Sequence, residues 1–315
     1  MYKFLKQLFF FFLYAVTVYF LLIIVWGEFM PGILKKNLNY SLGAYGHMYT
    51  RTREVEKFNM VDILFAGASH AYRGFDTRIA KEYGYQSFNL GSSAQTPVQT
   101  KLILEKYLDK LQPKMVILEV CRSTFTNDGI ESSMDMIANG KIDFKVLEMA
   151  VALNHIKTYN SLVYGYYRQL FNRNKNFEES VVIKEDTYIP GGYVERKMMN
   201  NAGSIVADTT ENKKTKWEPK KYQLTAFEAI IKLIKEKGIK LILVQAPINI
   251  KKLEYRKYID NDIIDSYFSS KATYFNFNNF LNLSDSLDFY NKDHLNQNGV
   301  RIFNKNLFDS ILEKK

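Results

Sequence analysis

Three short stretches of the chain carry side chains that together could move an acyl group. Ser69 stands in Gly67-Ala68-Ser69-His70 at the end of an apolar run; Asn89-Leu90-Gly91-Ser92-Ser93-Ala94-Gln95-Thr96 ends a second run; Asn291-Lys292-Asp293-His294-Leu295-Asn296 lies near the C-terminus. A serine hydroxyl is a weak nucleophile at neutral pH until a base takes its proton, and a histidine beside a carboxylate has a suitable pKa. His294 is the base that this reasoning assigns to Ser69. The small residues from Gly91 to Ala94 leave their backbone amides open to an oxyanion developing next to the serine.

These groups need elements that bring them together. Apolar runs at 61–67, 86–90, 115–120, 240–246 and 273–277 alternate with helical patterns near 76–83, 97–112, 221–237, 251–268 and 298–313. Buried strands alternating with helices predict a parallel sheet covered on both faces, a three-layer α/β/α domain. In such a sheet reactive groups gather beyond the carboxyl ends of the strands, where Ser69 falls. The interval from about 125 to 220 breaks the alternation. Through Phe171 it has helical periodicity; from 172 to 220 it is polar, with Pro190-Gly191-Gly192 and little sustained period. It reads as an insertion over the sheet's C-terminal edge, placed to act as a substrate-binding cap or as a peripheral addition.

The N-terminus has a different character. Leu8 to Trp26 is uncharged, with Lys3 and Lys6 before it, and as a helix it spans about 28 Å, enough for the hydrocarbon core of a bilayer. The following GEFMPG offers no signal-peptidase site of the small-x-small kind, so residues 1–27 are expected to stay as a transmembrane anchor. The lysines on its N-terminal side place the N-terminus in the cytoplasm and the body outside. Residues 28–58, tyrosine-rich and broken by Pro31 and Gly32, form a connector suited to lying along the membrane surface, and 59–315 form the globular body.

The formal net charge of +10 is spread among acidic residues, without a basic tail or nucleic-acid motif, so no nucleic-acid partner is expected; an anionic membrane surface or acidic polymer suits it better. Cys121 is the one cysteine, so no internal disulfide can form, and no Cys/His spacing suggests a metal. Cys121 reads as a small buried residue at a strand end. His47 and His155 fall outside the three stretches and read as surface or core histidines.

Taken in order, the three stretches resemble the blocks of the SGNH/GDSL hydrolase superfamily: a serine block after the first strand, an N-x-G-like loop after the second, and an Asp-x-x-His block before the last helix. The resemblance covers about 61–124 and 221–313. It implies an SGNH/flavodoxin-like fold and an acyl-serine intermediate formed without metal or organic cofactor, its oxyanion held by the amides of Ser69 and the 91–94 loop. The chain is also similar to membrane-anchored members with a Gly-x-Ser block, which serve acyl modification of cell-surface polymers. That likeness implies acetyl or similar short acyl esters on a surface or secreted glycan, with water or a sugar hydroxyl as acceptor.

The sequence departs from the family at three points. Ala68 replaces the aspartate of the serine block. The third block's asparagine, an oxyanion donor, falls near Arg122 or Ser123, where the Ser123 hydroxyl could serve. Asn291 stands three before His294 where an acid is usual, so Asp293 or Asn291 must orient the imidazole, and both remain open. His70, whose ring should point away from Ser69, and Arg73 and Arg122, suited to an anionic substrate group or to ion pairs, are the candidates for substrate contact. The departures also suggest a second role, a noncatalytic partner subunit bound to an integral-membrane acyltransferase through the anchor and connector.

Overall fold

The computed structural model describes residues 1–197, 216–249, 261–279 and 281–312. Helix α1 (Tyr2–Phe29) opens the chain, long and apolar enough to cross a membrane, and ends ahead of Pro31. A short α2 (Met48–Glu54) follows. The body then alternates as expected: β1 (Ile63–Ala66), α3 (Ser69–Gly74), α4 (Thr77–Glu82), β2 (Ser87–Asn89), α5 (Pro97–Leu111) and β3 (Met115–Glu119). The interruption holds α6 (Arg122–Thr126), α7 (Ile130–Asn139), α8 (Phe144–Leu153), α9 (Ile156–Leu170), β4 (Val182–Ile183), β5 (Asp186–Ile189) and β6 (Tyr193–Arg196). The alternation resumes with α10 (Lys221–Glu236), β7 (Lys240–Gln245), α11 (Asn261–Ser269), β8 (Thr273–Asn276) and α12 (Gln297–Leu312). The part of the expected 251–268 helix before Asn261 lies outside the described residues, as does 198–215 of the insertion.

The five core strands run in the order β2-β1-β3-β7-β8, every pair parallel. The central strands β1, β3 and β7 are apolar on both sides because both faces are covered. Leu64, Val116, Leu118 and Leu243 pack with α5 and α10, while Ile63, Phe65, Ile117 and Ile242 pack with α3, α4 and α12. This is a three-layer α/β/α fold of flavodoxin-like strand order. Its functional crevice belongs where the order reverses, between the carboxyl ends of β1 and β3.

The second half of the insertion carries structure that the sequence pattern does not show. Strands β4, β5 and β6 form a small antiparallel sheet, and its Pro190-Gly191-Gly192 turn docks on the end of β2. The amide of Asn89 donates to the Gly191 carbonyl at 2.8 Å. Gly192 has φ +92, and a Cβ there would stand 2.2 Å from the Asn89 carbonyl oxygen, so only glycine allows this approach.

From Asn37 onward the 28–58 connector is bonded to the body, while Phe29, Ile33 and Leu34 before it are exposed. Arg51, fully buried, donates from Nε and one terminal nitrogen to the Gly192 carbonyl at 3.0 and 2.9 Å, and lies over the ring of Tyr72 at 4.9 Å. Glu54 accepts from the Tyr188 hydroxyl at 2.5 Å. A buried guanidinium is costly without acceptors, and the turn carbonyl with the ring faces of Tyr72 and Tyr188 answers it.

Gly192→Ala should therefore lower thermal stability well beyond Gly84→Ala, since Gly84 has φ +81 with nothing near its missing Cβ. The Gly84 variant pays only backbone strain of about 1–2 kcal/mol, while the Gly192 variant must also displace the turn from β2. Melting curves of the two variants give the comparison.

Candidate active site

The serine is presented by a sharp turn. Gly67 takes φ +133, and a Cβ on it would lie 2.8 Å from the Glu119 Cβ, so the chain can leave β1 this tightly only as glycine. Ala68 is extended and Ser69 begins α3, where backbone amides have no partner within the helix. The Ser69 hydroxyl stands at the sheet's carboxyl edge, and its Oγ lies 2.7 Å from His294 Nε2.

His294 sits on the loop before α12, and that loop is stapled. Tyr290 donates its amide to the His294 carbonyl at 3.1 Å, closing the Phe289–Leu295 bridge. Asn296 Nδ2 donates to the Leu287 carbonyl at 2.7 Å, and Asp288 accepts from Asn298 Nδ2 at 2.6 Å and from the Ser284 amide at 2.7 Å. Asp288 is thus a turn-stabilising group. The side chain placed against the imidazole Nδ1 is Asn291, with Oδ1 at 3.2 Å; the same oxygen accepts the amides of Asp293 at 2.8 Å and His294 at 2.9 Å. An amide oxygen can only accept, so Nδ1 carries the proton and Nε2 faces Ser69 as acceptor. Asp293 contributes its backbone to this arrangement.

The imidazole is held between two rings, Tyr290 at 5.6 Å and His70 at 4.9 Å, both stacked. His70 therefore does not turn away from the site; its ring lies against the base. The oxyanion side differs from expectation at Gly91, whose amide donates to Asn89 Oδ1 at 3.0 Å and is already engaged. The loop it belongs to is rigid: Ser92 Oγ donates to Gln95 Oε1 at 2.8 Å, and Gln95 Nε2 to Thr100 Oγ1 at 3.0 Å. Ala94 has φ +49, a left-handed conformation uncommon without glycine and of the kind that clusters at functional loops. Ser123 lies on α6, its hydroxyl 3.1 Å from Cys121 Sγ, and Cys121 is half-buried rather than enclosed.

The two arginines are ion-paired. Arg73 forms a bidentate pair with Asp186 of β5 at 2.8 and 2.6 Å, and Arg196 of β6 reaches the same carboxylate at 2.7 Å while lying over the Tyr290 ring at 4.6 Å. Burial opposes ionisation of Asp186, yet the two guanidiniums hold its carboxyl below the ordinary range. The insertion's sheet is thereby clamped against the wall that carries His294. Arg122 points to α11, where it bonds to Asn261 and stands 3.6 Å from Asp265.

Sequence reasoning missed Glu119, which ends β3 beneath the Gly67 turn and is buried. Its signal was a lone carboxylate closing the apolar run Met115–Leu118. Burial, with the neighbouring Cys121, pushes its pKa up to about 8. His70, Glu119 and Cys121 bring nitrogen, oxygen and sulfur atoms within 4.8 Å of one another, a donor grouping that residue spacing did not reveal.

No family model matches the chain, and no curated protein matches it. Solved structures similar to it include a "putative acylhydrolase" from Bacteroides fragilis, at 14% identity over 84% of this chain and 95% of that one with a TM-score of 0.41. Another is a GDSL-like lipase from Bacteroides thetaiotaomicron, at 14% identity over 82% and 90% with a TM-score of 0.35. The geometry of Ser69, His294 and Asn291 is what bears on chemistry here.

Two predictions follow from that geometry. Asn291→Ala should reduce turnover of an activated ester at least about tenfold, whereas Asn291→Asp, which keeps every acceptor and adds charge beside the imidazolium, should equal or exceed the parent. Steady-state kinetics of the purified variants decides this. Glu119 binds its proton more tightly folded than unfolded, so stability falls as pH rises from 4.5 to about 8. Glu119→Gln should remove that contribution, raising the melting temperature over the parent at pH 8 and not below pH 4.5.

Proposed function

We propose that the chain is a membrane-anchored serine esterase or O-acyltransferase, acting through an acyl-Ser69 intermediate on short acyl esters, acetyl foremost, of cell-surface or secreted glycans. The contact of 2.7 Å between Ser69 Oγ and His294 Nε2, at the sheet's switch point, carries the reading. His294 takes the serine proton as Oγ attacks the ester carbonyl, and the Nδ1 proton stays with the ring, held by Asn291. The amides of Ser69 and the Ser93-Ala94 turn receive the oxyanion, and the imidazolium then protonates the departing alcohol. Water or a sugar hydroxyl, deprotonated by the same histidine, takes the acyl group. No metal or organic cofactor has a part in these steps.

A polar cavity of about 1140 Å³, lined among others by Lys36, Asn39, Ser41, Glu131 and Lys157, suits a hydroxyl-rich chain better than a fatty acyl tail. Asn39, Ser41, Glu131 and Met134 also line a smaller cavity of about 130 Å³ that includes Ser93 and Ala94. In this reading α1 anchors the chain in the cytoplasmic membrane with its N-terminus inside, and the body works outside.

One observation favours a second reading, that of a noncatalytic partner of an integral-membrane acyltransferase. Asn291 stabilises an imidazolium less than a carboxylate would.

A fluorophosphonate probe separates the two. The native chain should be labelled on Ser69, Ser69→Ala should not be labelled, and His294→Ala should be labelled at least about a hundredfold more slowly. A native chain that resists the probe, while folded, contradicts the enzyme and supports the partner subunit.

A further inference from the structure

The anchor and the insertion are not separate parts. Helix α9 lies alongside the last third of α1: the Tyr19 hydroxyl bonds to Asn160, and Gly27 meets the Tyr164 ring so closely that a Cβ would stand 2.3 Å from it. Glu28 then pairs with Arg168 at 3.5 Å and Arg173 at 3.7 Å. Contacts thus run down α1 as α9 is followed toward its own start. Tyr19 lies eight residues before Gly27, about 12 Å deeper along the helix. Asn160 comes after the first turn of α9, so that turn and the junction with α8 lie level with Tyr19 or deeper along the anchor.

From the junction upward the hairpin exposes apolar side chains. Phe144, Leu147 and Val151 share one edge of α8 at helical spacing, exposed by 71%, 43% and 58%, and Ile156, at the start of α9, is exposed by 49%. Water beside a lipid-embedded helix is an unfavourable setting for such an edge. Lys35, which reaches the Gly27 carbonyl, and Arg168, paired with Glu28, stand at the end of α1, at the height where lipid phosphates lie. Trp26, at the end of the apolar run, is a residue type that favours this interfacial layer.

We infer that the α8–α9 hairpin is a second membrane contact, its tip bedded in the leaflet from which α1 emerges. The inference rests on α1 being inserted in a bilayer, and it commits the exposed edge to lipid. Two contacts, one spanning and one entering a single leaflet, remove the swivel that a lone anchor would allow, and so hold the body and its cleft at one angle to the membrane.

Site-directed spin labelling of the full chain, with Cys121→Ser as background, tests this in nanodiscs of phosphatidylcholine and phosphatidylglycerol. Single cysteines replace Phe12, Val151, Ile156 and, as a water-exposed control, Lys232. The ratio of oxygen to water-soluble nickel chelate accessibility at Val151 and Ile156 should be several-fold that at Lys232 and lie on the lipid side with Phe12. A lipid-like Phe12 with Val151 and Ile156 resembling Lys232 overturns the hairpin contact and leaves the anchor standing. A water-like Phe12 overturns both.

Discussion

Ser69 and His294 are 225 residues apart in the chain and meet at 2.7 Å, and the rest of the structure can be understood through what that meeting requires. The parallel sheet brings the ends of β1 and β3 to one edge, the Gly67 turn lifts the serine off that edge, and the loop before α12 returns the histidine to it. The loop has no regular structure to hold it. Its position comes from side-chain staples, Asn296 across the turn and Asp288 to the amide of Ser284, and from Gly299, where a Cβ would stand 2.2 Å from the Asp288 carbonyl oxygen. Asn291 performs two tasks with one oxygen, since it caps two backbone amides of this loop and faces Nδ1 of the ring.

Around this contact the electrostatics divide into a charged wall and a nearly neutral floor. On the wall, Asp186 and two arginines form a compact cluster that ties the insertion to Tyr290 and so to the imidazole. On the floor, Glu119 is buried deeply enough to hold its proton through neutral pH. A protonated Glu119 keeps a second negative charge away from the oxyanion side. Its ionisation at higher pH would work against an oxyanion developing nearby.

Much of the fold could be read in the residues. Runs such as Met115–Glu119 and Lys240–Gln245 are apolar on successive positions because both faces are covered, and that pattern is local. The juxtaposition of Ser69 with His294 follows from strand-end logic. The strands of the small sheet were not legible: β4 to β6 have two to four residues each, β5 and β6 mix charged with apolar side chains, and the sheet docks on Asn89. For the same reason Arg73 gave no sign of its partner, since Asp186 reaches it only once that sheet is in place. The connector's burial was equally hidden, because Arg51 looks like any surface arginine until the Gly192 carbonyl and the rings of Tyr72 and Tyr188 surround it. Long-range docking sets all three, and residue spacing does not encode it.

The central claim is that Ser69 becomes acylated, and rapid-quench mass spectrometry on the native chain mixed with p-nitrophenyl acetate tests it directly. The account predicts an acetyl increment on the peptide that contains Ser69, appearing within the first turnover and decaying as product forms. Turnover with no adduct at any time, or an adduct on a residue other than Ser69, would contradict it.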